Sequence, residues 1–118
     1  MAQTKAKKDQ DRFIQQPHKM IKSDAYLKLS GNAIKALSML ETFYWPNKPE
    51  VSCSHAAMAQ MLKCSKTTAG DALNQLVQAG FLVVVKESDN FNQQARTYRL
   101  SYKKYHDTPP TNEWQDGQ

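Results

Sequence analysis

"CSKTTAGDALNQLVQAGF", residues Cys64–Phe81, is the stretch whose reading decides the fold. Ala69, Ala72, Leu73, Leu76 and Val77 recur at i, i+3, i+4, i+7 and i+8. That spacing predicts a helix with one apolar stripe. Ser65 is placed to cap its N-terminus. Gly80 stands where a helix stops in the left-handed conformation, and Phe81 can pack back onto the last turn. The other face carries Lys66, Thr67, Gly70, Asp71, Asn74, Gln75 and Gln78, nearly all able to form hydrogen bonds.

Downstream, "FLVVVKE" is short and β-branched, a strand. "SDNFNQQ" is turn chemistry, and "ARTYRLSY" returns as a second strand with Tyr98, Leu100 and Tyr102 on one face. Upstream, Ser54 opens "SHAAMAQML", a brief helix with Met58, Met61 and Leu62 at i, i+3, i+4; Lys63 and Cys64 then form a tight connection. "EVSCS" can make one small strand. Before it, "SGNAIKALSMLETFYW" begins with a second capping serine, Ser30, and aligns Ile34, Leu37, Leu40 and Tyr44 on one face. Pro46 and Pro49 are expected to end that helix. Ser23 can cap a short turn over Asp24–Leu29. No internal repeat interrupts this order.

A chain of 118 residues is one domain with loose ends. Residues 1–16 read as a mobile basic arm, 17–104 as the domain, and 105–118, with its proline pair and acidic charge, as an extended tail. The formal charge of +5 is unevenly placed. Residues 1–22 hold six Lys or Arg against two Asp, and the basic excess sits in "MAQTKAKKDQDR". Such an arm attracts polyanions, or is simply a solvated tail. Cys53 and Cys64 are too few for a disulfide framework, and reduced thiols fit a cytoplasmic protein. No apolar run approaches the ~18–20 residues of a membrane span.

The order helix, short strand, helix, helix, hairpin is mainly α with a small β-hairpin. Within it, "AMAQMLKCSKTTAGDALNQLVQAGFLVVV" resembles the helix-turn-helix and first wing strand of bacterial winged-helix DNA-binding proteins. Met58, Ala59, Leu62, Ser65, Thr68, Ala72, Leu73, Leu76, Gly80, Phe81 and Leu82 meet their pattern. "SDAYLKLSGNAIKALSMLETFY" is similar to the first helices of small phage- and plasmid-type members. The resemblance spans about residues 20–102 and implies an α+β winged helix-turn-helix fold. Two positions depart from it: relatives often carry Arg where Asp71 stands, and usually Gly where Lys63 stands.

The resemblance implies double-stranded DNA as partner, with the helix after Ser65 entering the major groove. Ser65, Thr67 and Thr68 would hold phosphate beside the free N–H groups of the first turn. Lys66 would reach guanine or phosphate, and Asn74 and Gln75 adenine edges. Gly70, costing ~1 kcal/mol in a helix, would let a phosphate approach closely. Asp71 repels phosphate but can accept from a cytosine amino group or pair with Lys66. On the wing, Lys86, Arg96 and Arg99 would sit over the backbone, or Arg96 and Arg99 would pair across the strands with Glu87. Phe43 and Trp45 would cover the wing base, or, with Trp114, form the interface of a two-fold homodimer.

Enzymatic readings find no support. Cys53 and His55 are too close in sequence to align as nucleophile and base. Two Cys with scattered His18, His55 and His106 make no metal site, and no glycine-rich phosphate loop exists. No cofactor or small-molecule ligand is expected. A transcriptional regulator, such as a repressor, is the leading expectation, and a plasmid or phage replication-initiation or maintenance protein is the alternative. A winged-helix protein-interaction module is the reading from a different class.

Overall fold

Four serines start four helices. The computed structural model describes residues 12–89 and 95–116. After a first short helix, α1 (His18–Ile21), the Ser23 hydroxyl accepts from the Tyr26 N–H and opens α2 (Asp24–Leu27). Ser30 accepts from Ala33 at the start of α3 (Gly31–Glu41). Ser54 does so from Ala57 for α4 (His55–Leu62), and Ser65 from Thr68 for α5 (Lys66–Gln78). Each such cap contributes about 1 kcal/mol. Helices α3, α4 and α5 pack together, burying Ala33, Leu37 and Leu40 against Met58, Leu73 and Leu76.

Helix α3 stops earlier than the prolines suggest. It ends at Glu41 and turns through Thr42, whose hydroxyl donates to the Met39 carbonyl at 2.5 Å. Phe43, Tyr44 and Trp45 are therefore not helical. Trp45 and Lys48 close a small loop by exchanging backbone hydrogen bonds of 3.3 and 2.9 Å around Pro46. Tyr44 is only partly buried, its hydroxyl donating to the Lys104 carbonyl at 2.7 Å.

The turn between α4 and α5 keeps its left-handed residue without a glycine. Lys63 takes φ 56° and ψ 48°. An L-residue pays there for Cβ crowding, about 1–2 kcal/mol. The Cys64 N–H bond to the Ala59 carbonyl, 3.0 Å, holds the turn against that cost.

Helix α5 ends as its sequence predicts. Phe81 N–H reaches the Leu76 carbonyl and Gly80 N–H the Val77 carbonyl, the two bonds of a Schellman motif. Gly80 has φ 88°. Three strands, one before α4 and two after α5, make an antiparallel sheet in the order β1 (Val51–Ser52), β3 (Thr97–Leu100), β2 (Leu82–Lys86). Leu82 pairs with Leu100 and Val84 with Tyr98, so buried side chains share one face. A bulge at Val85 breaks the register, and Lys86 pairs with Thr97.

Both flanks of the domain are more ordered than composition suggests. Residues 105–116 are no extended tail. Tyr105 and Thr108 close a tight loop, and Thr111 and Asn112 both donate backbone bonds to the Ser101 carbonyl. A 3-10 turn, Glu113–Gln115, then delivers Trp114 into the core, its ring stacked on Phe81 with centroids 6.2 Å apart and planes 5° from parallel. Trp114 is buried and so does not extend an interface. Its strap crosses directly above Gly80, where a Cβ would lie 2.6 Å from the Glu113 carbonyl carbon. Gly80 is thus required twice, by its dihedral and by the strap.

At the other end, residues 12–16 lie against the body, while residues 1–11, most of the expected arm, fall outside the described residues. The anchor is Glu41, buried at the last position of α3. One carboxylate oxygen accepts from the Tyr102 hydroxyl at 2.5 Å and the Gln16 amide at 3.3 Å. The other accepts from the Gln15 N–H at 2.8 Å and lies 3.1 Å from the Lys103 ammonium. Burial, then the charge of Glu41, push the Tyr102 hydroxyl far up in pKa, so it stays a donor at all ordinary pH.

Candidate nucleic-acid interface

Helix α5 is held by its apolar stripe, and what it shows to solvent follows from that. Lys66, Thr67, Asp71, Asn74 and Gln78 are exposed, while Ala69, Ala72, Leu73 and Leu76 are buried. Lys63 is also exposed, one turn residue before the cap. It is a basic residue in the turn that leads into α5, with Lys66 the first residue of that helix. Asp71 forms no ion pair with Lys66 or any other described residue.

Gly70 is not on this face. It is buried, and a Cβ there would lie 2.8 Å from His55 Nδ1 and 3.0 Å from Cε1. The glycine makes room for an imidazole from the first turn of α4, so its helix cost serves the α4–α5 crossing rather than a phosphate. Gly70→Ala should therefore bring no gain in the native background. In a His55→Ala background the same change should stabilise by about 1 kcal/mol in urea unfolding. Equal effects in both backgrounds would show that His55 is not what the glycine accommodates.

Other expected contacts are partly committed within the fold. The Ser65 hydroxyl donates to Thr68 Oγ1 at 2.8 Å and accepts from the Thr68 N–H at 3.0 Å. Both side chains serve the cap, and Thr67 is the exposed hydroxyl of the first turn that takes no part in it. Gln75 is half-buried, and its Oε1 accepts from the Ser30 N–H at 2.7 Å, tying α5 to the start of α3.

The wing is largely neutralised at its base. Arg96 Nε pairs with Glu87 at 2.9 Å, the cross-strand alternative. Arg99 turns to the C-terminal strap: its guanidinium donates to Thr111 Oγ1 at 2.7 Å and to Glu113 Oε2 at 2.8 Å. Burial alone pushes the Glu113 carboxyl up, but the Thr111 hydroxyl, a backbone N–H and the Arg99 charge outweigh it and hold it below its usual value. Arg99 is a clamp for the strap. Lys86, at the end of β2, stays exposed without a described carboxylate partner. The tip, residues 90–94, lies outside the described residues.

No group of three His, Cys, Asp or Glu among the described residues is placed to hold a metal ion. No described helix is long and apolar enough to cross a membrane.

These elements make an α+β fold, five α-helices with a three-stranded antiparallel sheet among the described residues, consistent with a winged-helix-like arrangement in which α4 and α5 pack together and β2–β3 form the hairpin. Solved structures share it. The chain is similar to the structure of an MDR initiator, at 15% identity and TM-score 0.55 over 89% of this chain and 88% of that one. It is also similar to the N-terminal domain of a DNA-binding protein, at 16% identity and TM-score 0.56 over 89% and 86%. A third likeness is to the protein in a Rep–DNA complex, at 15% identity and TM-score 0.55 over 97% and 91%. At such identities the likeness is one of fold. No protein-family model matches the sequence, and neither does any curated protein sequence.

Proposed function

We propose that the protein binds double-stranded DNA sequence-specifically, with α5 in the major groove. The observation that carries this reading is the outward face of α5: Lys66, Thr67, Asp71, Asn74 and Gln78 all exposed on a helix fixed by its buried side. A groove ~12 Å wide admits such a helix. Lys63 and Lys66 meet the backbone or guanine, Asn74 reads adenine, and Asp71, which has no ion-pair partner among the described residues, accepts from a cytosine amino group. Lys86 and residues 1–11, which hold Lys5, Lys7 and Lys8, add salt-sensitive attraction to phosphate.

Regulation of a promoter and initiation at an origin both use this chemistry. The fold shared with an MDR initiator and with the protein of a Rep–DNA complex supports the second at least as well as the first. Selection of bound duplexes from a random pool identifies the site, and its position at an origin or over a promoter separates the roles. A palindromic site would support a two-fold homodimer. Lys66→Ala with Asn74→Ala should reduce discrimination between the selected site and random duplex by about a hundredfold. Unchanged discrimination would remove α5 from the groove.

A further inference from the structure

The early end of α3 creates a surface that the helix face does not explain. Between the Trp45 loop and residues of all three strands runs an open cleft of about 950 Å³. Phe43, Trp45 and Val85 line it, with Arg12, Lys48 and Lys86 among them. Trp45 is 45% exposed and Phe43 47%, and among the described large hydrophobic aromatics only Phe13 is more exposed. None of the cleft residues belongs to α5.

Charge decides what fits. No described carboxylate lies within ion-pair distance of Arg12, Lys48 or Lys86. The one acid lining the cleft, Glu50, lies 3.3 Å from His106. A second copy of this chain would bring like charges together. An anionic occupant with flat apolar faces satisfies both the cations and the rings.

We propose that this cleft binds single-stranded DNA, its bases stacking on Trp45 and Phe43 and its phosphates on Lys48, Lys86 and Arg12. A duplex keeps its base faces covered, so exposed rings offer it little; an unpaired base brings its own face. The Arg12 guanidinium lies 3.8 Å from the Trp45 ring centroid and extends the platform, since bases also stack on guanidinium planes. Three of the cleft's hydroxyls are already engaged: Ser52 and Thr97 bond each other at 2.8 Å, and Thr42 donates to the Met39 carbonyl, which leaves Tyr105 as the hydroxyl lining the cleft that could meet a sugar. This reading is independent of the duplex reading, because it uses other residues apart from Lys86.

The two tryptophans make the test direct, because Trp45 is exposed and Trp114 is buried. Titrating the full chain with a twelve-residue oligothymidylate at low salt should quench Trp45 emission and leave that of Trp114. Trp45→Ala should abolish the quench and weaken binding about tenfold, with affinity for the selected duplex retained. Lys48→Ala should weaken binding and flatten its salt dependence. No binding at low salt, or unchanged affinity in both variants, overturns the proposal. So does tighter binding of oligouridylate than of oligothymidylate.

Discussion

Glu41→Ala is expected to lower unfolding stability by roughly 3–5 kcal/mol, the range for removing one partner of a buried charge pair. The substitution leaves the Tyr102 hydroxyl and the Gln15 N–H without their acceptor, and Lys103, only 19% exposed, without its counter-charge. An effect so large is unusual for a residue at the end of a helix. It follows because one carboxylate joins α3, the N-terminal segment and the chain just after β3. Urea unfolding of both proteins measures it, and a loss below about 1 kcal/mol would mean the carboxylate is not the anchor. Release of the N-terminal segment should accompany the loss, seen as faster amide exchange at Gln15, whose N–H donates to Glu41.

Trp114→Ala is expected to cost about 3 kcal/mol, the low end for truncating a buried aromatic. The low end applies because the strap can peel away instead of leaving a void. Its attachments would loosen together: the stack on Phe81, the Arg99 bonds to Thr111 and Glu113, and the backbone bonds to Ser101. Limited proteolysis should then cut between Thr111 and Asp116 in the variant and spare the native chain. Cleavage at equal rates in both would show that the strap is not fastened by its tryptophan.

What the sequence reveals here is the local part. Ser30, Ser54 and Ser65 cap within three residues of themselves, and Gly80 with Phe81 closes a helix within five. Such signals lie inside one turn of chain, so spacing alone carries them. Gly70, Arg99, Trp114 and Glu41 owe their roles to partners far along the chain or on another element, and no periodicity encodes a partner. Glu41 did leave a trace. It stands four residues after Leu37 on the buried stripe of α3, where a charge needs a reason. Gly70 left a weaker one, a glycine in a helix interior, which shows that something comes close without saying what. The candidate site is legible to the same degree. Lys66, Thr67, Asp71 and Asn74 stand on the outward face because burial of the stripe leaves them nowhere else, whereas Gln75 and Arg99 are taken up by tertiary bonds.

The bulge at Val85 has a bearing on how the protein behaves at high concentration. Strand β2 is an outer strand of the sheet, and Val83, Val84 and Val85 make it a β-prone, uncharged run. A straight strand of that kind is a template for another chain to extend. The bulge kinks its last residues out of line, and Lys86 and Glu87 follow at once with charge. The same irregularity that turns Lys86 toward the cleft therefore keeps the sheet from growing past its own edge.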